Sequence, residues 1–197
     1  MGSYTAISDA SRSIIALLKS TMVPEPIKNP EAIGLCSPAD KGGISLGLYL
    51  YNIQENVEAL SQEKIKLDKT HFKEPSQSFY LYYLLFTRSE AELMTRIADE
   101  QRILGRAIQQ LNDYRRIPKE YLVGTLSDND EQIDIQGIHL QTDEKARIWS
   151  LFQQPYCTSF YYKAGPVFIE SDVVKSYSRV QTAEIIITAE KGSSPKN

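Results

Sequence analysis

Two histidines and two cysteines are the residues on which nucleophilic or metal chemistry would draw first. His71 stands in a polar stretch and His139 close to an expected strand end. Neither has a Cys, Asp or Glu partner at metal-ligand spacing, and a zinc site needs three or four ligands. Both read as surface or half-buried histidines. Cys36 and Cys157 are far apart in the chain and read as buried free thiols, with a disulfide or a reactive site as the alternative. Gly42-Gly43 lacks the Lys-Ser/Thr of a P-loop and the third glycine of a dinucleotide turn, and there is no Gly-x-Ser-x-Gly elbow. Asp128, Asp130 and Glu131 cluster without the glycine and terminal glutamate of a calcium loop. Carboxylates are plentiful, but nothing singles out an acid/base pair. The chemistry-bearing residues therefore indicate no enzyme, no metal and no cofactor.

Two groups remain as binding candidates. Twelve tyrosines could stack on a sugar or a base, but most fall on strand-like runs where tyrosine is ordinary core and interface material. Arg115-Arg116 form a two-charge patch after a long helix. They either compensate its dipole or meet an anion or a partner.

These residues need elements to position them. Ile7, Ala10, Ile14, Leu17 and Leu18 recur at threes and fours, predicting a helix over 4–21 with Ser3, Ser8, Asp9, Ser11 and Arg12 on its other face. Pro24 and Pro26 stop it, and Pro30 and Pro38 keep the chain irregular as far as Gly42-Gly43. Ile44 to Ile53 alternates as a strand, with Leu46, Leu48 and Leu50 on one face and Tyr49 and Tyr51 on the other. Residues 54–78 are polar and read as a protruding loop with short pairing of its own. Phe79 to Thr87 is apolar on both faces, the pattern of a central strand covered on both sides. Ser89-Glu90-Ala91-Glu92 reads as a capping box opening a helix to Asp113, with Met94, Ile97, Leu104, Ile108 and Leu111 on its core face. Ile133, Ile135 and Ile138 mark a strand after the Ser127–Asp130 turn. Thr142 caps a short helix that buries Ile148, Trp149 and Phe152. Tyr156 to Lys163 is a strand, broken by Gly165-Pro166 and resumed at Val167–Ile169. Val180 to Ala189 is a final strand, and 190–197 reads as a frayed tail.

The 197 residues suit one domain, spanning 1–189. A net charge of −3 argues against a nucleic-acid partner. No apolar run reaches the roughly 18 residues of a membrane span, which argues against membrane insertion. No basic region followed by an apolar stretch opens the chain, and Ala6 stands where myristoylation wants Ser or Thr. These features fit a protein made and folded in a cytosol.

The order of elements resembles a known family. Its pieces are Tyr4–Asp9 leading a helix, Leu35-Cys36-Ser37-Pro38, the strand Ile44–Ile53, and Leu81–Thr87. They are followed by Leu104-Gly105-Arg106-Ala107 within a long helix, and Ile148–Phe152 before Pro155-Tyr156. This run, about 4–170, is similar to the N-terminal domain of cap, or tail-terminator, proteins of extracellular contractile injection systems of the antifeeding-prophage and Photorhabdus virulence cassette type. The resemblance implies an α/β (α+β) fold, a single mixed sheet flanked by two or three helices. It implies a homohexameric ring that closes the membrane-distal end of an inner tube and sheath, with tube and sheath proteins as partners. No catalytic residues come with it. Such a protein would assemble in the bacterial cytoplasm and belong to a phage tail-like particle that can be released. Within that reading, Thr182, Glu184, Ile186 and Thr188 on the last strand, with Arg115 and Arg116, are the partner-binding candidates. The last strand either pairs inside the domain or reaches a sheath subunit. A baseplate or tube-initiation subunit, and a small glycan- or peptide-binding module on the Tyr-rich strands, are the alternative functions.

Overall fold

The computed structural model describes residues 4–40, 42–59, 65–66, 68, 71–129 and 131–176. The elements are α1 (Ala6–Met22), β1 (Ile33–Leu35), β2 (Leu46–Glu55), β3 (Ile65–Lys66), β4 (His71–Lys73), β5 (Gln77–Thr87), α2 (Leu93–Asp113), α3 (Thr125–Asp128), β6 (Asp134–Gly137), α4 (Thr142–Ser150), β7 (Ser159–Ile169) and β8 (Val174–Ser176). A five-stranded sheet runs in the order β1-β2-β5-β7-β6. Only β1 pairs parallel, against β2; the other ladders are antiparallel. This mixed sheet with its helices is the fold class the sequence indicates. A second sheet of β3, β4 and β8 adds to it. It takes up the short pairing expected of the polar stretch and joins it to a segment roughly a hundred residues later.

The helices divide between the two faces as the strands require. Successive side chains of β5 point to opposite faces. Leu81, Tyr83 and Leu85 face α1 and α2, while Leu84 and Phe86 face α4. Both faces are therefore buried, as the run's apolar character predicts. On the α4 side, Trp149, Phe152, Phe86, Tyr49, Tyr51 and Tyr161 pack edge to face. Burial pushes the Tyr51 hydroxyl up to about 12.

The structure corrects several expectations. Asp9 and Ser11 do not form a solvent face of α1 but are buried, as is Ser13. Asp9 Oδ2 accepts from the Thr125 N–H at 3.1 Å, the Thr125 hydroxyl at 3.0 Å and the Thr5 hydroxyl at 3.0 Å. Ser13 Oγ accepts from the Val123 N–H at 3.0 Å, and Ser11 Oγ lies 2.8 Å from the Tyr83 hydroxyl. Short polar side chains thus let segment 122–125 dock on α1, satisfying backbone donors that burial would otherwise orphan. Periodicity cannot separate such a face from a wet one. Before β2, the supposedly irregular stretch holds a 3₁₀ turn at Pro30–Ala32 and the edge strand β1.

The expected capping box at Ser89 does not form. α2 starts at Leu93, and Ser89 Oγ instead donates to Asp99 Oδ2 at 2.6 Å while its N–H meets Glu100 Oε1 at 3.1 Å. Met94 and Ile97 are exposed rather than buried, whereas Leu104 and Leu111 are in the core. At α4 the cap is Gln141, whose N–H donates to Glu144 Oε2 at 2.7 Å; Thr142 is the first helical residue. The first two residues of the expected Ser127–Asp130 turn close a short helix, Thr125–Asp128. Gly165-Pro166 does not break β7, which runs unbroken past a register shift opposite Phe79 and Leu81. That is a bulge: the extra residues are absorbed on one strand and the ladder resumes. Gly165 has φ +138°, and a Cβ there would stand 2.9 Å from the Phe79 carbonyl oxygen.

Candidate functional site

Titratable side chains gather nowhere into a catalytic constellation among the described residues, nor do three metal-ligating groups cluster there. His71, at the start of β4, places Nδ1 2.7 Å from Asp68 Oδ2, an exposed local pair three residues apart that spacing arguments passed over. Cys36 and Cys157 are both free and half-buried. Burial raises both thiols, that of Cys157 to about 11, which makes them poor nucleophiles at neutral pH. Most of the described tyrosines are taken up by packing, Tyr4 and Tyr156 being exposed. Tyr82 donates to Gln54 Oε1 at 2.7 Å, and the Lys163 ammonium sits 4.3 Å from the Tyr80 ring centre. The rings are thus edge-packed or covered, which is a core arrangement rather than an open stacking face.

Of the candidate binding residues, the structure places two. Arg115 and Arg116 follow α2 and flank the outer edge of β6 beside Asn112, Gln136 and Gly137. Arg116 grips Asp134 with Nε at 2.8 Å and a terminal nitrogen at 3.3 Å, and that carboxylate holds the guanidinium above its ordinary value. Its charge is therefore answered within the chain. The Arg115 carbonyl accepts from the Ile135 N–H at 2.5 Å, so the segment covers part of the β6 edge. Its exposed side chain has no carboxylate within 4 Å among the described residues. Thr182, Glu184, Ile186 and Thr188 lie outside the described residues, as do the expected strand over 180–189 and the tail.

What sequence reasoning missed is the distribution of exposed apolar side chains. The register of β5 against β2 and β7 defines two ends of the sheet. β5 has 11 residues, so these ends are roughly 35 Å apart. At one end stand Leu93, Met94 and Ile97 of α2, with Tyr156 just before β7. At the other stand Ile53, Val57, Val173 and Val174. Scattered apolar exposure is normal, but three neighbours within about a turn of one helix form a contiguous patch. This geometry suits protein contacts at both ends of the sheet.

Comparison with known proteins agrees with that character. No curated protein matches the sequence. Among solved structures, the chain is similar to the PVC sheath/tube terminator of an extracellular contractile injection system in its extended state. The identity there is 14% and the TM-score 0.63, over 98% of this chain and 67% of that one. It also matches the anti-feeding prophage tube-terminating cap at 12% identity and a TM-score of 0.44, over 72% of this chain and 48% of that one. The first of these shares the fold, mixed sheet and helices alike. Residues 9–183 match the Pvc16 N-terminal domain family across almost the whole chain, and the protein belongs to that family.

Proposed function

We propose that the chain is a structural cap subunit, a tail terminator that closes the end of the inner tube and sheath of a contractile injection particle and halts their polymerisation. The observation that carries this reading is membership of the Pvc16 N-terminal domain family over residues 9–183. The fold shared with a sheath/tube terminator supports it. So does the physical character of the molecule: no catalytic cluster among the described residues, and apolar side chains exposed at both ends of one sheet. On this reading the chain acts without catalysis, and copies of it form a closed ring, a hexamer, by head-to-tail contacts. Tube and sheath subunits are its partners. Arg115 and the segment 182–188 remain the polar contact candidates. Assembly takes place in the bacterial cytoplasm, within a phage tail-like particle that can be released.

Electron microscopy of particles assembled without this chain tests the proposal. Tubes of uncontrolled length with open ends are expected. Tubes of normal length with normally closed ends would overturn it, and a label on the chain found at the baseplate would favour an initiation role.

A further inference from the structure

We propose that the first turns of α2 form an apolar knob that seats in the groove between α1 and β1 of a second copy of this chain. This names the junction between copies that a ring requires, and so rests on the capping reading. The knob is Leu93, Met94 and Ile97, exposed by 74%, 91% and 56%. The groove is floored by Ile15, Ala16, Ile33, Gly34, Leu35 and Ile44 and encloses about 510 Å³. Among the described residues both stay open: the knob residues are exposed, and Leu35 in the groove is itself 47% exposed. Each feature therefore lacks an occupant among the described residues, and the other matches it in polarity.

The charges around them are complementary. Exposed Glu90 and Glu92 flank the knob, with exposed Arg96 beside them on the first turns of α2. Arg12 and Lys19 rim the groove, with Glu31 as the one carboxylate. Lys19 lies 3.1 Å from Glu31, while Arg12, 62% exposed, reaches Asp9 only at 3.6 Å and has charge to spare for an incoming glutamate. Opposite charges across a contact steer encounter and fix register. Knob and groove are built from different residues, so each copy offers one of each, the arrangement that permits head-to-tail association.

Cysteine pairing tests the contact directly. Purified Met94→Cys and Ala16→Cys proteins are mixed under mild oxidation. A disulfide-linked dimer of one with the other is expected, in clear excess over that from Met94→Cys mixed with Val173→Cys, whose new thiol sits at the far end of the sheet. Charge reversal gives a second reading: Glu92→Lys lowers the mass of the self-associated protein in solution, and adding Arg12→Glu restores it. Glu92 sits at an exposed position and Glu92→Lys keeps the wild-type thermal unfolding; Arg12→Glu loses the Asp9 ion pair and unfolds somewhat earlier, so a restored mass in the double variant reports the contact and not added stability. No excess of the Met94–Ala16 product, or a preference for Val173, would overturn the contact. If particles lacking the chain have abnormal ends and yet no such dimer forms, the contact is wrong and the capping reading stands. If the dimer forms and the particles are normal, the contact stands and capping does not.

Discussion

Asp9 shows how much one side chain can hold. Its carboxylate lies beneath α1, 4% exposed, and accepts three hydrogen bonds from Thr125 and Thr5. Gly124 makes the approach possible: its φ is +59°, and a Cβ there would stand 2.5 Å from Asp9 Oδ2. Asp9→Ala leaves the part-buried Thr125 N–H unpaired and is expected to cost about 1–3 kcal/mol in denaturant unfolding. Gly124→Ala, strained in conformation and in space, is expected to destabilise comparably, with part of the loss recovered in the double variant. The thiols make a second case. With Cys157 pushed up to about 11 by burial, alkylation of the folded protein at pH 7.5 is expected to be many-fold slower than that of the unfolded chain. Rates equal in the two states would show that the site opens freely.

Among the elements, α2 departs most from its pattern. The apolar spacing of Met94 and Ile97 matches a core stripe, yet the helix outruns the sheet beneath it and only its later turns find cover. Ile97→Ser is therefore expected to leave stability within about 0.5 kcal/mol of wild type. Trp149→Ala, by contrast, opens the aromatic cluster under α4 and should cost about 3–5 kcal/mol by the same unfolding measurement. The start of α2 also responds to acid. The Ser89 hydroxyl, ahead of Arg102, holds the Asp99 carboxyl below its ordinary range. A group depressed in the folded state stabilises fully above its unfolded pKa, near ~4, and loses that contribution as pH falls through the lower folded value. The destabilisation caused by Ser89→Ala should thus be larger at pH 7 than at pH 2.5; an equal effect at both would remove Asp99 from the account. The sequence showed α1, β2, β5, the body of α2 and the Trp149 helix because their periodicity is strong. It hid β1, whose three residues are too few to show a period, and the bulge in β7, whose Gly-Pro pair has the same signature as a strand break.

For the whole molecule, legibility follows the range of the interactions. The mixed sheet and its helices could be read because alternation and burial are local. The docking surfaces could not. Exposure of Leu93 or of Leu35 depends on where distant elements end, and pattern alone assigns such residues to the core. The capping reading came from the order of elements, and family membership over residues 9–183 supports it from a separate direction.

The small sheet has a mechanical consequence. β8 pairs with β4 through only three residue pairs, buttressed by Lys175–Glu74 and Lys73–Glu170 ion pairs at 2.6 Å each. β7 and β5 are joined by a far longer ladder. Tension applied to the chain beyond Ser176 therefore meets a weak link first, and then a strong one at Ile169 and Gln77. In a single-molecule pulling experiment on the C-terminal side, a low-force release of β8 should precede the unfolding of the five-stranded sheet. The protein can give way by a few residues under load while its main sheet stays whole.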